Sequence, residues 1–199
     1  MWLARWRDDA VRSEADHAAY RRRHPGRPVG GVWWSVPACC GVVAGTHSLA
    51  LAGGAPTRLV LMEDSSIDDD GFAWRVTPPA GARVLEVRTA ADWLELVCRH
   101  PLEVTESRRS VWGETTRRLG RWVIPDWQAV AQEWDAVHLT TWAYLTTAGR
   151  VLDLDDDTAT MMAGWDPDAT WWFTDVEVAA KPVRWHRTGN TGLDWHRGS

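Results

Sequence analysis

The chain has 199 residues, 45% hydrophobic and 25% charged, with a formal net charge of −5. That length and balance exclude a disordered polymer and allow one domain with a real core. The acidic balance argues against a general nucleic-acid binder held by phosphate contacts, though it leaves room for a local basic site. Met1-Trp2-Leu3-Ala4-Arg5 lacks the apolar run of a signal peptide. No apolar stretch reaches the roughly 18 residues of a membrane span, and three cysteines make no disulfide framework. The expected setting is the reducing cytoplasm. One lysine against 21 arginines is the bias a high-GC genome imposes, as in a bacterium or its phage.

Sixteen tryptophans stand against two Phe and two Tyr. The plain expectation is that Trp fills core positions that other proteins give to Phe. The sharper one is that pairs such as Trp33-Trp34 and Trp171-Trp172 line a stacking pocket for a flat ligand.

In chain order, residues 8–23 read as a helix with the apolar stripe Val11, Ala15, Ala18 and Ala19. Arg21 to His24 place cations where the helix dipole favours them, and Pro25-Gly26 stops it. Strands are expected at 31–36, 58–63, 72–77 and 83–88, separated by turns at 68–71 and 78–81. Thr89 reads as an N-cap with Asp92 as its partner, opening a helix that shows Trp93, Leu96 and Val97 on one face. A second helix is expected from Asp126, its stripe running through Trp127, Val130, Ala131, Trp134 and Val137. Strands follow at 136–140, 158–163 and 170–178. The whole predicts one α+β domain over residues 1–180, with a mixed, mostly antiparallel sheet flanked by helices. A polar tail, 181–199, is expected to be flexible and carries Trp-His-Arg twice, at 185–187 and 195–197.

The usual dinucleotide, P-loop, zincin and nucleophile-elbow signatures are absent. Asp153 to Asp157 invites a hard cation, but the sixth and twelfth positions of an EF-hand loop are Thr158 and Gly164. An acidic turn between two strands is the better reading, and a metal-dependent hydrolase there the weaker one. No paired Cys/His spacing suggests zinc, so no metal is expected. Cys39-Cys40 has nothing nearby in sequence to lower a thiol pKa. A triad of Ser35, His47 and one of many aspartates is too easily drawn to carry weight.

The C-terminal third carries more. The segment 134–140, WDAVHLT, preceded by a helix, resembles the YDGI/YDGV turn-and-strand of bacterial and phage ADP-ribosyltransferase-like proteins. GVWWS at 31–35 and the later Gly164-Trp165-Asp166 also resemble segments of uncharacterised bacterial and phage proteins. The resemblance covers residues 31–36 and 124–176. It implies an NAD-consuming transferase, with NAD as substrate and an acceptor not defined by the sequence. In that family an early Arg or His holds NAD, a Ser or Thr supports the pocket, and a late Glu stabilises the oxocarbenium-like transition state. Carried onto this chain, Arg5 and Ser35 take the first two roles, and Trp34 or Trp165 supplies an aromatic wall. The late Glu is missing, since Thr170 opens that strand. Asp166, Asp175 or Glu177 would have to serve as the catalytic acid, and Asp175-Val176-Glu177 has the spacing that puts two carboxylates on one strand face. The rival expectation is a non-enzymatic phage- or defence-associated interaction protein, because exposed Trp and Arg dominate binding hot spots.

Overall fold

The computed structural model describes residues 2–37, 45–51, 53–61, 69–189 and 194–198. Cys39-Cys40 and residues 62–63 of the expected strand lie outside them. The elements run α1 (Trp2–Arg23), β1 (Gly45–His47), α2 (Arg58–Leu61), β2 (Asp70–Ala73), β3 (Val76–Thr77), β4 (Val84–Val87), α3 (Ala90–Arg99) and β5 (Pro101–Glu103). They continue α4 (Thr105–Arg108), α5 (Val111–Thr116), β6 (Arg121–Pro125), α6 (Trp127–Val130), β7 (Ala136–Leu139) and α7 (Thr141–Thr147). The chain ends β8 (Val151–Asp153), β9 (Thr158–Met161), β10 (Ala169–Trp172), β11 (Glu177–Val178), β12 (Val183–Arg187) and β13 (Trp195–Arg197).

The fold is α+β. Its strands divide among several sheets: β1-β10-β7-β4, β5-β6-β9-β8, β13-β12-β2 and the pair β11-β3. Among the described residues only β4–β7 and β6–β9 pair in parallel. Helix α1 docks by its polar face as well as by the buried Leu3. Glu14 accepts from the Glu106 and Ser107 amides at the start of α4, each at 2.8 Å, and the Arg7 guanidinium donates to Asp126 at 2.6 Å. Those carboxylates sit where helix N-termini leave amides without intrahelical partners.

Several expectations hold locally. Thr89 and Asp92 form a reciprocal capping box, and Trp93, Leu96 and Val97 are buried. The acidic stretch is the turn of the β8–β9 hairpin, where Asp155 accepts from the amides of Asp157 and Thr158.

Other expectations are corrected. Residues 31–36 join no sheet; Val32 and Ser35 donate instead to the carbonyls of Ser107 and Ala163. Residues 58–61 are a helical turn, because Pro56 and Thr57 offer carbonyls to the Leu59 and Val60 amides. The stretch 72–77 breaks at Trp74-Arg75, one part pairing with β12 and the other with β11. The helix from Asp126 lasts four residues, and Val137, the end of its expected stripe, belongs to β7. The expected strand 170–178 likewise divides into β10 and β11. In the tail, the two Trp-His-Arg segments pair with each other, His186 opposite His196.

The main core gathers Trp93, Trp127, Trp165 and Phe173 with ring centroids 5.8–6.2 Å apart. A second cluster is built on Trp112 and Trp122, and a third on Trp185 and Trp195. Eight of the sixteen tryptophans are buried, so packing is the dominant use of this residue here.

Candidate functional site

Ser35 sits at the centre of the main core with no exposure. Its Oγ donates to the Ala163 carbonyl at 3.1 Å and accepts from the Ala163 amide at 2.9 Å and from Trp165 Nε1 at 3.1 Å. A hydroxyl offers one donor and two acceptor positions, so Ser35 is fully committed inside the protein. Trp34, its neighbour, is 46% exposed, and its ring lies where a Cβ on Gly164 would stand, 2.1 Å from Cε3. Gly164 also has φ +73°, so this corner accepts little but glycine. The corner delivers Trp165 to the core and Asp166 to the edge of the first sheet.

That sheet has two distinct rows. Thr46, Thr170, His138 and Glu86 align across β1, β10, β7 and β4. His47, Ala169, Leu139 and Val87 form the next row, on the opposite face, and the last three belong to the main core. His47 is accordingly buried, its side chain 2% exposed. Its Nε2 has no hydrogen-bond partner among the described residues and lies 3.8 Å from Asp166 Oδ2. The Arg58 guanidinium donates to the same oxygen at 2.9 Å. Arg58 Nη1 and the Trp171 ring both lie within 4 Å of the place a Cβ on Gly45 would occupy. Trp171 in turn meets Trp165 edge-on at 6.5 Å. A carboxylate, a half-exposed cation, an aromatic ring and an unsatisfied imidazole therefore meet in one place. Burial, then the nearby Arg58 charge, depresses the His47 pKa below its ordinary 6.5, although Asp166 and Asp168 pull the other way.

Asp168 holds this arrangement together. It takes a left-handed backbone at φ 60°, a conformation costly for a residue other than glycine. Its Oδ2 accepts from the amides of Ser48 and Leu49, each at 2.7 Å, and its Oδ1 accepts from Ser48 Oγ at 2.9 Å. His138 Nε2 is 3.2 Å from Oδ1, while its Nδ1 faces Glu86 at 3.5 Å. Burial raises the Asp168 pKa, but the bonds from Leu49, Ser48 and His138 outweigh it and hold the carboxylate below its ordinary range. By clamping residues 48 and 49, Asp168 fixes where the preceding His47 stands.

Of the residues singled out from sequence, Ser35, Trp165 and Asp166 are brought together, the first two in the core and the third at its rim. Arg5 is exposed on α1, and no hydrogen bond or ion pair joins it to this cluster among the described residues. Asp175 and Glu177 are exposed, Glu177 on the separate β3–β11 pair opposite Thr77. Arg58, His47, His138 and Asp168 escaped sequence reasoning as a group. One signal was present: His138 is the lone polar position in the Ala136-Val137-His138-Leu139 strand. Among the described residues no group of His, Cys, Asp and Glu has the geometry to hold a metal ion, and no helix is long and apolar enough to cross a membrane.

Protein-family models, curated proteins and solved structures were compared with the chain, and none gives a significant match.

Proposed function

We propose that the protein is a cytoplasmic NAD-dependent ADP-ribosyltransferase whose acid is Asp166. The observation supporting this reading is the meeting of Asp166, Arg58, His47 and Trp171 at one sheet edge. Cleaving the nicotinamide–ribose bond sends its electron pair to the nicotinamide nitrogen and leaves positive charge on the sugar. A carboxylate held against that sugar stabilises the charge as it develops. Arg58 replaces Arg5 as the cation for the diphosphate, and Trp171 offers a face for the nicotinamide. Asp166, 19% exposed beside Arg58, is the carboxylate at this edge that a ribose hydroxyl can donate to. The acceptor nucleophile then bonds to the anomeric carbon and gives up its proton. In this reading Ser35 acts at one remove, by orienting Trp165 and so the adjoining Asp166.

The test is nicotinamide release from NAD by the purified chain. Release that is lost in Asp166→Asn and Arg58→Ala, but kept in Glu177→Ala, supports the assignment. Release unaffected by Asp166→Asn moves the acid elsewhere. The absence of both release and any NAD-dependent change in Trp fluorescence overturns the reading. A second reading, an interaction protein, is favoured by Trp142 and Leu145, which stand three residues apart on α7 and are 69% and 66% exposed.

A further inference from the structure

His47 is the last residue of β1, and the sheet register turns its buried side chain to the main-core face. The Asp168 clamp on Ser48 and Leu49 anchors the backbone that follows it. Its Nε2 lies 3.8 Å from Asp166 Oδ2, beyond hydrogen-bond reach but within the range of an ion pair. Arg58 donates to that same oxygen at 2.9 Å, so Asp166 is bonded to the guanidinium and not to the ring. Among the described residues, the charged and titratable groups facing His47 are Arg58 on α2, Asp166 and Asp168 in the turn before β10, and His138 on β7. Burial and then Arg58 oppose a proton on the ring, Asp166 and Asp168 favour it, and His138 adds a smaller opposition. Asp168 is already engaged by Ser48, Leu49 and His138, which leaves Asp166 as the carboxylate able to respond.

We propose that His47 and Asp166 form a latch closed by acid: a proton taken up by His47 draws the Asp166 carboxylate into a bond with the imidazolium Nε2, shared with Arg58. A buried charge is tolerated only when it is paired. A charge-assisted N–H···O bond is about 2.8 Å long, so a movement of about 1 Å closes the gap. The clamp anchors the residues after His47, and the movement falls on the Asp166 side chain, the less enclosed of the two. When the proton leaves, the ring is neutral and Asp166 belongs to Arg58 alone. Histidine is the side chain whose charge changes in this pH range. The latch itself needs no NAD; only its consequence rests on the NAD reading. A carboxylate shared between two cations stabilises a developing sugar cation less well, so acid turns the site down.

The test is an NMR titration of the full chain from about pH 8 to about pH 5, the range in which histidine changes charge. It follows the His47 ring nitrogens, assigned with His47→Gln, and the Asp166 carboxyl carbon, assigned with Asp166→Asn. His47 should take up its proton with a midpoint below its ordinary 6.5, and the Asp166 carbon should shift with that same midpoint. Asp166→Asn should move the His47 midpoint further down, because the pairing carboxylate is gone, and Arg58→Ala should move it up. Nicotinamide release should decline below the same midpoint, approaching about tenfold per pH unit. Absence of release at every pH counts against the NAD reading and leaves the latch to the NMR titration. A His47 midpoint unchanged in Asp166→Asn, an Asp166 carbon that does not follow His47, or unfolding before His47 takes up its proton would overturn the latch.

Discussion

Ser35 and Asp168 are both buried polar hubs, yet they leave their surroundings in opposite states. Around Ser35 every hydrogen-bonding position is filled and every neighbour is a backbone group or an indole. Around Asp168 the carboxylate is equally well supplied, but one residue beyond its clamp the buried His47 Nε2 has no partner among the described residues. A closed hub specifies packing. A closed hub that fixes a buried nitrogen without a partner stores a cost that the surrounding packing has to offset.

The comparison can be broken most decisively at Asp168. Asp168→Ala strands the amides of Ser48 and Leu49 and leaves a left-handed alanine, and is expected to cost about 3 kcal/mol or more in urea unfolding. A cost below about 1 kcal/mol would mean that the clamp does not hold residues 47–49. Ser35→Ala should cost about 2 kcal/mol, since it strands Trp165 Nε1 and the Ala163 amide in a dry core. It should also lower nicotinamide release without abolishing it, whereas Asp166→Asn abolishes it.

The smallest effect is the sharpest for His47. The folded-state pKa is depressed, so the unfolded chain takes up a proton near 6.5 that the folded chain resists. Stability from neutral His47 is therefore full above about pH 6.5 and falls as the pH drops below it, by no more than about 1.4 kcal/mol per pH unit. Melting temperatures from pH 7.5 to 5.5 should decline in the native protein and decline less in His47→Gln. Equal slopes would remove His47 as the responsible group. NAD bound at Asp166 should itself raise the melting temperature.

What could be read from the sequence divides along the same line. The Thr89–Asp92 box and the β8–β9 turn depend on contacts within a few residues, and local chemistry states them openly. The expected strands at 31–36 and 58–63 had suitable side chains, but whether a segment joins a sheet depends on which carbonyls and amides reach it. Here Ser107 and Ala163 claimed the first segment, and Pro56 and Thr57 turned the start of the second. The candidate site was harder still. His47, Arg58, His138 and Asp166 come from four separate elements or turns, and Asp168 lies in a Pro-Asp turn that reads as filler until its backbone angle is known. Asp166 was singled out through a resemblance rather than through any signal of its neighbours, and His47 was met only in a triad too easily drawn to carry weight.

The tryptophan core has an optical consequence. Trp93, Trp127, Trp165 and Trp171 sit with neighbouring rings 5.8–6.5 Å apart, in fixed tilted or edge-on orientations. Indoles so close and so rigidly oriented share their electronic excitations, and their near-ultraviolet circular dichroism belongs to the group rather than to any one ring. Loss of specific packing erases such a signal while secondary structure survives. The main core thus reports its own integrity without a label, and any variant at Ser35, which anchors two of these rings, will register there first.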